Sequence, residues 1–387
     1  MQVSLLKTLY PLLLALIFNG AGHAFFVITI PAIARVLQLK DISVGLILSL
    51  SSILLVVTGP VWGWLCDKIG RKKVLIIGLL SSAITTLFLA TLLDSHHAIT
   101  PGLFAILLFG IRTIHAALSA GLKPATQAIA ADVSKNEGRI AAMAIMGATF
   151  GIGTLFGGVL AMLSGHQHVV IGYSLLGILM LFSSLWVASK LPETNITTVP
   201  KPPPYNHKPF VIYWTTTLVG LTIYSALQPI TNWYLQDVFS FNADQAIQYT
   251  GAIMMSSMIA MILSQLCLVV RRNNPFVVRR LGFVISILAL IGCAFSKDPR
   301  MLLVAMAILG IGFGLFLPAN LSLMTRSVPT LQQGRIAGIN GLCQGTGLAM
   351  GPILGAVAYQ IQKPLFYHIA AITVCALLLA CRLIKLR

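Results

Sequence analysis

The chain has 387 residues, 57% of them hydrophobic and 9% charged, where a soluble domain carries about 25% charged residues. That composition excludes a water-soluble globular fold and calls for an all-α polytopic membrane protein. The formal net charge of +17 invites a nucleic-acid reading, but most of the basic residues fall in short segments between apolar runs, as the positive-inside rule requires, so no nucleic-acid partner is expected.

Apolar runs near the ~20 residues that cross a bilayer recur at 9–36, 43–65, 74–93, 102–129, 140–163, 169–191, 210–235, 246–270, 276–295, 301–324, 336–359 and 365–383. An even number of spans puts both termini on one side, and Lys7 together with Arg382, Lys385 and Arg387 makes that side cytoplasmic. The run from Leu9 is too long for a cleavable signal. The six cysteines lie in or at the ends of apolar segments with no Cys-x-x-Cys spacing, and read as small buried hydrophobes, not as a metal or disulfide site.

Taken in order, the first span offers Asn19 and His23, one helical turn apart. The second and third are separated by Gly63-Trp64-Leu65-Cys66-Asp67-Lys68-Ile69-Gly70-Arg71-Lys72-Lys73, a short loop with cations around one acid. Its glycines suit a tight turn and close helix approach, and Asp67 is placed to accept hydrogen bonds from Arg71 or to face a helix N-terminus.

The fourth span carries Arg112, His115, Ser119 and Lys123, spaced 3, 4 and 4. In a continuous helix these share one face over roughly three turns, with Lys123 about 16 Å beyond Arg112. Ionisable groups at that depth cost several kcal/mol unless they meet water or partners, so the stripe is expected to line a cavity. A bracing role for Arg112, a packing histidine at His115 and a snorkelling Lys123 are the bland alternatives. The fifth span has glycines at 147, 151, 153, 157 and 158, which let helix backbones touch but also serve ordinary packing.

A proline-rich stretch, 192–209, divides the chain into six-span halves, 1–191 and 210–387, and reads as a stiff linker. The halves echo one another. Gly138-Arg139-Ile140-Ala141 matches Gly334-Arg335-Ile336-Ala337, the run from Gly151 to Gly158 matches that from Gly345 to Pro352, and Pro124-Ala125 matches Pro318-Ala319. A duplicated six-helix unit is the plan of transporters whose halves rock about a substrate. In the second half Tyr224, Gln228 and Asn232 lie at i, i+4 and i+8, and Asn320, Asn340 and Gln344 offer further polar wall.

None of the nine acids falls within a span. A cavity with Arg112 and Lys123 and no carboxylate should repel cations and attract anions, leaving His23 and His115 as proton carriers. No nucleophile–base pair, metal cluster or phosphate loop suggests an enzyme.

The pattern Gly-x-Leu-small-Asp-basic-x-Gly-Arg-basic-basic at 63–73 closely resembles the loop between helices 2 and 3 of the major facilitator superfamily. Leu191-Pro192-Glu193-Thr194 is similar to its helix-6 end, and the glycine-rich fifth span, with Arg112 and Asp132 on the fourth, resembles its drug–proton antiporters. One departure is Gly157-Gly158, where those exporters have Gly-Pro; Gly351-Pro352 keeps the pair in the eleventh span. The resemblance implies a twelve-helix transporter of the bacterial inner membrane, working by alternating access. Gly63, Asp67, Gly70, Arg71, Asp132, Gly151, Gly157, Gly351 and Pro352 would then form its conformational gate. It implies proton-driven export of a small organic molecule, anionic or zwitterionic by the charge argument, such as a carboxylate siderophore or metabolite. Import of an anionic nutrient, multidrug efflux and a non-transporting receptor stay open. The expected partners are substrate, protons and lipid, with no cofactor beyond the proton gradient and a monomer as the working state.

Overall fold

The computed structural model describes residues 2–133, 139–193, 210–270, 274–327 and 330–383, and over these the chain is helical apart from short turns. That is the required solution in hydrocarbon, where a backbone amide finds no water and must be bonded within its own segment. The chain forms two compact units, Met1–Val199 and Pro200–Arg387.

The first unit holds α1 (Gln2–Val36), α2 (Asp41–Ile69), α3 (Arg71–Asp94), α4 (Pro101–Ser119), α5 (Leu122–Val133), α6 (Arg139–Ser164) and α7 (Val169–Lys190). The second holds α8 (Val211–Val238), α9 (Ala243–Val270), α10 (Pro275–Ala294), α11 (Pro299–Arg326), α12 (Thr330–Ile361) and α13 (Leu365–Leu383). Among the described residues, ten segments are long and apolar enough to cross a membrane, counting Pro101–Ile129 as one. Those ten coincide with expected spans, and α8 and α13 occupy the other two. Large apolar side chains such as Val57, Ile106, Leu163 and Ile171 stand exposed on outer faces, the surface a multi-pass membrane protein presents to acyl chains.

Within each unit the helices touch through glycine. A Cβ at Gly153 would overlap the carbonyl of Ile17, and one at Gly157 the carbonyl of Ala21, so α6 lies backbone to backbone on α1. Gly347 and Gly351 stand in the same relation to Leu218 and Thr222, laying α12 on α8. These are the positions that the sequence echo pairs. A second echo emerges from the fold. Ser82 Oγ donates to the carbonyl of Gly78 and Ser286 Oγ to that of Gly282, while the glycines face Leu122 and Phe316 respectively. Gly151, by contrast, has open space where its Cβ would be. Pro352 is buried inside α12.

Two expectations are corrected. The segment 63–73 is not an eleven-residue loop: α2 runs through Ile69 and α3 starts at Arg71, leaving Gly70 alone at the junction with φ +100°. Only glycine adopts that conformation without strain. The fourth span is not one continuous helix. It breaks at Ala120-Gly121, where Pro124 has no N–H to return to the carbonyl of Ala120. The side chains of Val74 and Trp62 press on Gly121, and Trp62 Nε1 donates to the carbonyl of Ala117 at 2.6 Å. The matched proline in the second unit, Pro318, sits inside an unbroken α11. Leu315 stands there in the place of Gly121.

The second unit is tied by a buried polar network. Arg279, inside the apolar run at 276–295, is 4% exposed on α10, its guanidinium 5.1 Å from the ring centre of Tyr213. Its Nη1 donates to Asn320 Oδ1 at 3.4 Å, and Asn320 Nδ2 donates to the carbonyl of Tyr213 at 2.8 Å and to Thr217 Oγ1 at 3.1 Å. Thr217 Oγ1 donates to Asn340 Oδ1 at 2.7 Å. Four helices, α8, α10, α11 and α12, thus share one chain of donors and acceptors.

Two substitutions check this packing. Asn320→Ala takes the acceptor from Arg279 Nη1 and the donor from the carbonyl of Tyr213 and from Thr217 and should cost about 2–3 kcal/mol, read as a lower thermal midpoint of purified protein; an unchanged midpoint would show the network to be idle. Gly157→Ala should likewise lower the midpoint, by the ~1–3 kcal/mol of overpacking, whereas Gly151→Ala should leave it within about 1 kcal/mol of wild type.

Candidate functional site

The first unit contains a polar cavity lined by Asn19, His23, Phe26, Thr85, Arg112, His115 and Tyr173, among others. Helix α4 brings Arg112 and His115 to it one turn apart, α1 brings Asn19, His23 and Phe26, and α3 and α7 bring Thr85 and Tyr173. The guanidinium of Arg112 is 9% exposed and lies 3.8 Å from the ring centre of Phe26, a cation–π contact in a desolvated setting. Its Nε is buried with no hydrogen-bond partner among the described residues.

The hydroxyl and amide groups around it are largely spent on the scaffold. Asn19 Nδ2 donates to Ser82 Oγ at 3.0 Å. Thr29 Oγ1 donates to the carbonyl of Phe25 at 2.8 Å and lies 2.7 Å from the hydroxyl of Tyr173. His115 Nδ1 lies 2.9 Å from Thr85 Oγ1. His23 is exposed to the cavity, its ring 6.2 Å from that of Phe150.

The structure thus assembles Asn19, His23, Arg112 and His115, but it separates them from the rest of the expected stripe. Ser119 is buried at the end of α4, and Lys123 opens α5 as an exposed residue beyond the break. The cavity holds one fixed cation, Arg112, not two. Thr85 and Tyr173 were missed by sequence. Hydroxyls paired four residues apart in an otherwise apolar span, Ser81-Ser82 and Thr85-Thr86, were the available signal for the first; a lone tyrosine in span six gave none for the second.

In the second unit, Asn320 and Asn340 belong to the buried network. Asn232 is fully buried, giving Nδ2 to Thr250 Oγ1 at 3.2 Å and taking a bond from Gln236 at 2.8 Å. These three asparagines are committed to packing and are not free walls. Tyr224 and Gln228 are half-buried on α8, Tyr224 with its ring 6.0 Å from that of Phe313, and Gln344 is half-buried on α12.

Of the expected gate residues, Gly63 on α2 faces Pro124 on α5, whose Cβ would stand 4.0 Å from a Cβ added at Gly63. Arg71 is 5% exposed and donates Nη1 to the carbonyl of Ala128 at 3.3 Å. Asp67, expected to accept from Arg71 or to face a helix N-terminus, is exposed and accepts no hydrogen bond among the described residues. A different carboxylate meets the helix N-terminus there. Glu193 Oε1 takes the backbone N–H of Lys72 at 3.3 Å and abuts Gly70, where it also complements the dipole of α3. The side chain of Asp132 lies outside the described residues, as do residues 194–209 of the expected linker.

The Major Facilitator Superfamily profile matches residues 12–352 and 271–387. Among curated proteins, the chain is 24% identical over 383 residues to multidrug resistance protein 2 of Bacillus subtilis, covering 92% of this chain and 90% of that one. It is 24% identical over 369 residues to the quinolone resistance protein NorA of Staphylococcus aureus, covering 92% and 90%. It is 25% identical over 351 residues to the class B tetracycline resistance protein of Escherichia coli, covering 83% and 80%. Among solved structures, the nucleoside transporter NupG superposes with a TM-score of 0.72 at 17% identity, covering 96% of this chain and 97% of that one. A bacterial homologue of the lysosomal transporter Spinster gives 0.75 at 15% identity, covering 92% and 82%. With helical units, buried arginines and glycine contacts in place and the family profile running along nearly its whole length, the chain is a transporter, not an enzyme, and belongs to the Major Facilitator Superfamily.

Proposed function

We propose that this transporter exports a small organic molecule bearing an anionic group, driven by the proton gradient across a bacterial inner membrane. The observation that carries the substrate class is Arg112: a guanidinium in a polar cavity, its Nε unpartnered, with no carboxylate among the residues lining that cavity. A planar fork with donors to spare is suited to a two-pronged contact with a carboxylate, phosphate or sulfonate. His23 and His115 are the lining groups whose side chains can take up and release a proton, so they are assigned the proton. The names of the relatives, which are resistance proteins, support export over import and also favour a second reading, multidrug efflux. The positive-inside asymmetry supports cytoplasmic termini.

The test is ligand-induced thermal stabilisation of purified protein over matched anions, zwitterions and cations. Anions and zwitterions should stabilise the wild type. Arg112→Gln should weaken them at least about tenfold, as loss of a charge-assisted bond does. Arg112→Lys should rescue poorly because a point charge lacks the fork. A panel in which only cations stabilise would favour multidrug efflux and overturn the anion reading.

Alternating access gives the α2–α3 junction a role in switching. Asp67 is exposed and lies at the end of α2, away from the cavity lining. Asp67→Asn should therefore abolish flux in proteoliposomes while leaving binding within a few-fold of wild type. Flux retained at the wild-type level, or flux lost together with binding, would exclude a gating role.

A further inference from the structure

The hydroxyl of Thr85 has one proton, and its destination fixes the chemistry of His115. Thr85 Oγ1 lies 2.6 Å from the carbonyl oxygen of Ser81. A carbonyl only accepts, so the proton in that short bond belongs to Thr85. The same oxygen is 2.9 Å from His115 Nδ1 and is left with lone pairs alone, so Nδ1 carries the hydrogen of that second bond. A neutral imidazole has one N–H. The proton of His115 therefore sits on Nδ1, and Nε2, which has no hydrogen-bond partner among the described residues, presents a bare lone pair. The same accounting applies to Thr29, whose proton goes to the carbonyl of Phe25, so the hydroxyl of Tyr173 donates to Thr29 and offers its proton to nothing else. One end of the site is left with the unspent donors of Arg112. About one turn away is a fixed acceptor, Nε2 of His115.

We propose that Thr85 is the positioning residue that locks His115 in its Nδ1–H form, so that the site takes an amphoteric substrate, its anionic group on Arg112 and an ammonium, amine or hydroxyl donor on His115 Nε2. This rests on the transporter reading above and narrows its substrate class. It also supplies a sign for the coupling. A proton arriving at Nε2 takes the lone pair that the substrate donor needs and places a charge beside any ammonium, so proton and amphoteric substrate exclude one another, as exchange requires. A substrate with only an anionic group behaves oppositely, because protonation of His115 adds a second cation to its site. The charged and titratable groups facing His115 are Arg112 on its own helix, His23 from α1 and Tyr173 from α7. Helix α3 contributes Thr85, and α2, also packed on α4, carries its charges only at its ends, Asp41, Asp67 and Lys68.

Two measurements on the full-length purified protein test this. The first is nitrogen-15 NMR of histidine-labelled protein without ligand, with the His115 signals assigned by their loss in His115→Asn. Wild type and Thr85→Ser should show a neutral imidazole protonated at Nδ1, and Thr85→Val, which keeps the shape without the acceptor, should lose that preference. An Nε2–H form in wild type overturns the proposal, as does an Nδ1–H form that persists in Thr85→Val. The second is binding of 4-(aminomethyl)benzoate against 4-methylbenzoate and 4-methylbenzylamine, starting at about pH 8, above the usual imidazole range, and descending as far as the protein stays folded. The amphoteric probe should bind most tightly at the alkaline end and weaken by up to about tenfold per pH unit once His115 titrates. The carboxylate-only probe should strengthen over the same range. An amphoteric probe that binds no better than 4-methylbenzoate, or that shares its pH slope, overturns the substrate class. Failure of the transport reading looks different: the Nδ1–H form and the opposed pH slopes persist, but no probe moves across proteoliposome membranes under a proton gradient.

Discussion

Lipid offers no hydrophobic force between helices, because an acyl chain is as apolar as leucine. Whatever holds these units together must come from close contact and from polar groups that have no other partner. Both devices are visible. Gly153 and Gly157 remove the side chains that would keep α6 off α1, and Gly347 and Gly351 do the same for α12 on α8. Between such contacts, each unit buries an arginine near the start of a helix: Arg71 reaches the carbonyl of Ala128 in one, and Arg279 reaches Asn320 in the other. The repeat fixed by Gly78 and Gly282 places Arg279 one turn deeper along its helix than Arg71.

That constraint explains which parts of the chain were legible in advance. Spans and repeat follow from hydropathy and from glycine spacing, which respond to the bilayer directly. The glycine echo at Gly151–Gly158 and Gly345–Pro352 contains the residues that meet a neighbouring backbone, Gly153, Gly157, Gly347 and Gly351, but named no partner helix and also includes Gly151, which faces open space. Polar side chains were harder. An asparagine in an apolar span reads the same whether it faces a cavity or a neighbour, and Asn232, Asn320 and Asn340 all face neighbours. The break after Ser119 was hidden for a different reason. It depends on Trp62 meeting Gly121 across helices, and no local pattern announces a tertiary contact.

The cavity shows the same economy. Most of its hydroxyls are turned back onto the carbonyls of their own helices, a cheap way to keep a polar atom in an apolar layer. That leaves few groups with capacity to spare, and those few define the chemistry. Arg112 stays a donor and cannot be neutralised near physiological pH. The histidines can change charge. A site built from one permanent cation and adjustable neighbours differs from one built on a buried carboxylate: its resting charge is positive, and protonation raises it further.

The interruption between α4 and α5 has a mechanical consequence. A rigid rod transmits rotation along its whole length, so a tilt at one end displaces the other. Here the rod is jointed. Arg112 and His115 ride on the segment before Ala120, while Lys123 and the carbonyl of Ala128 that receives Arg71 ride on the segment after it. The indole of Trp62, anchored on the carbonyl of Ala117, acts as the pin of that joint. The segment that lines the cavity and the segment that engages Arg71 are therefore separate helices, and the indole of Trp62 bridges between them.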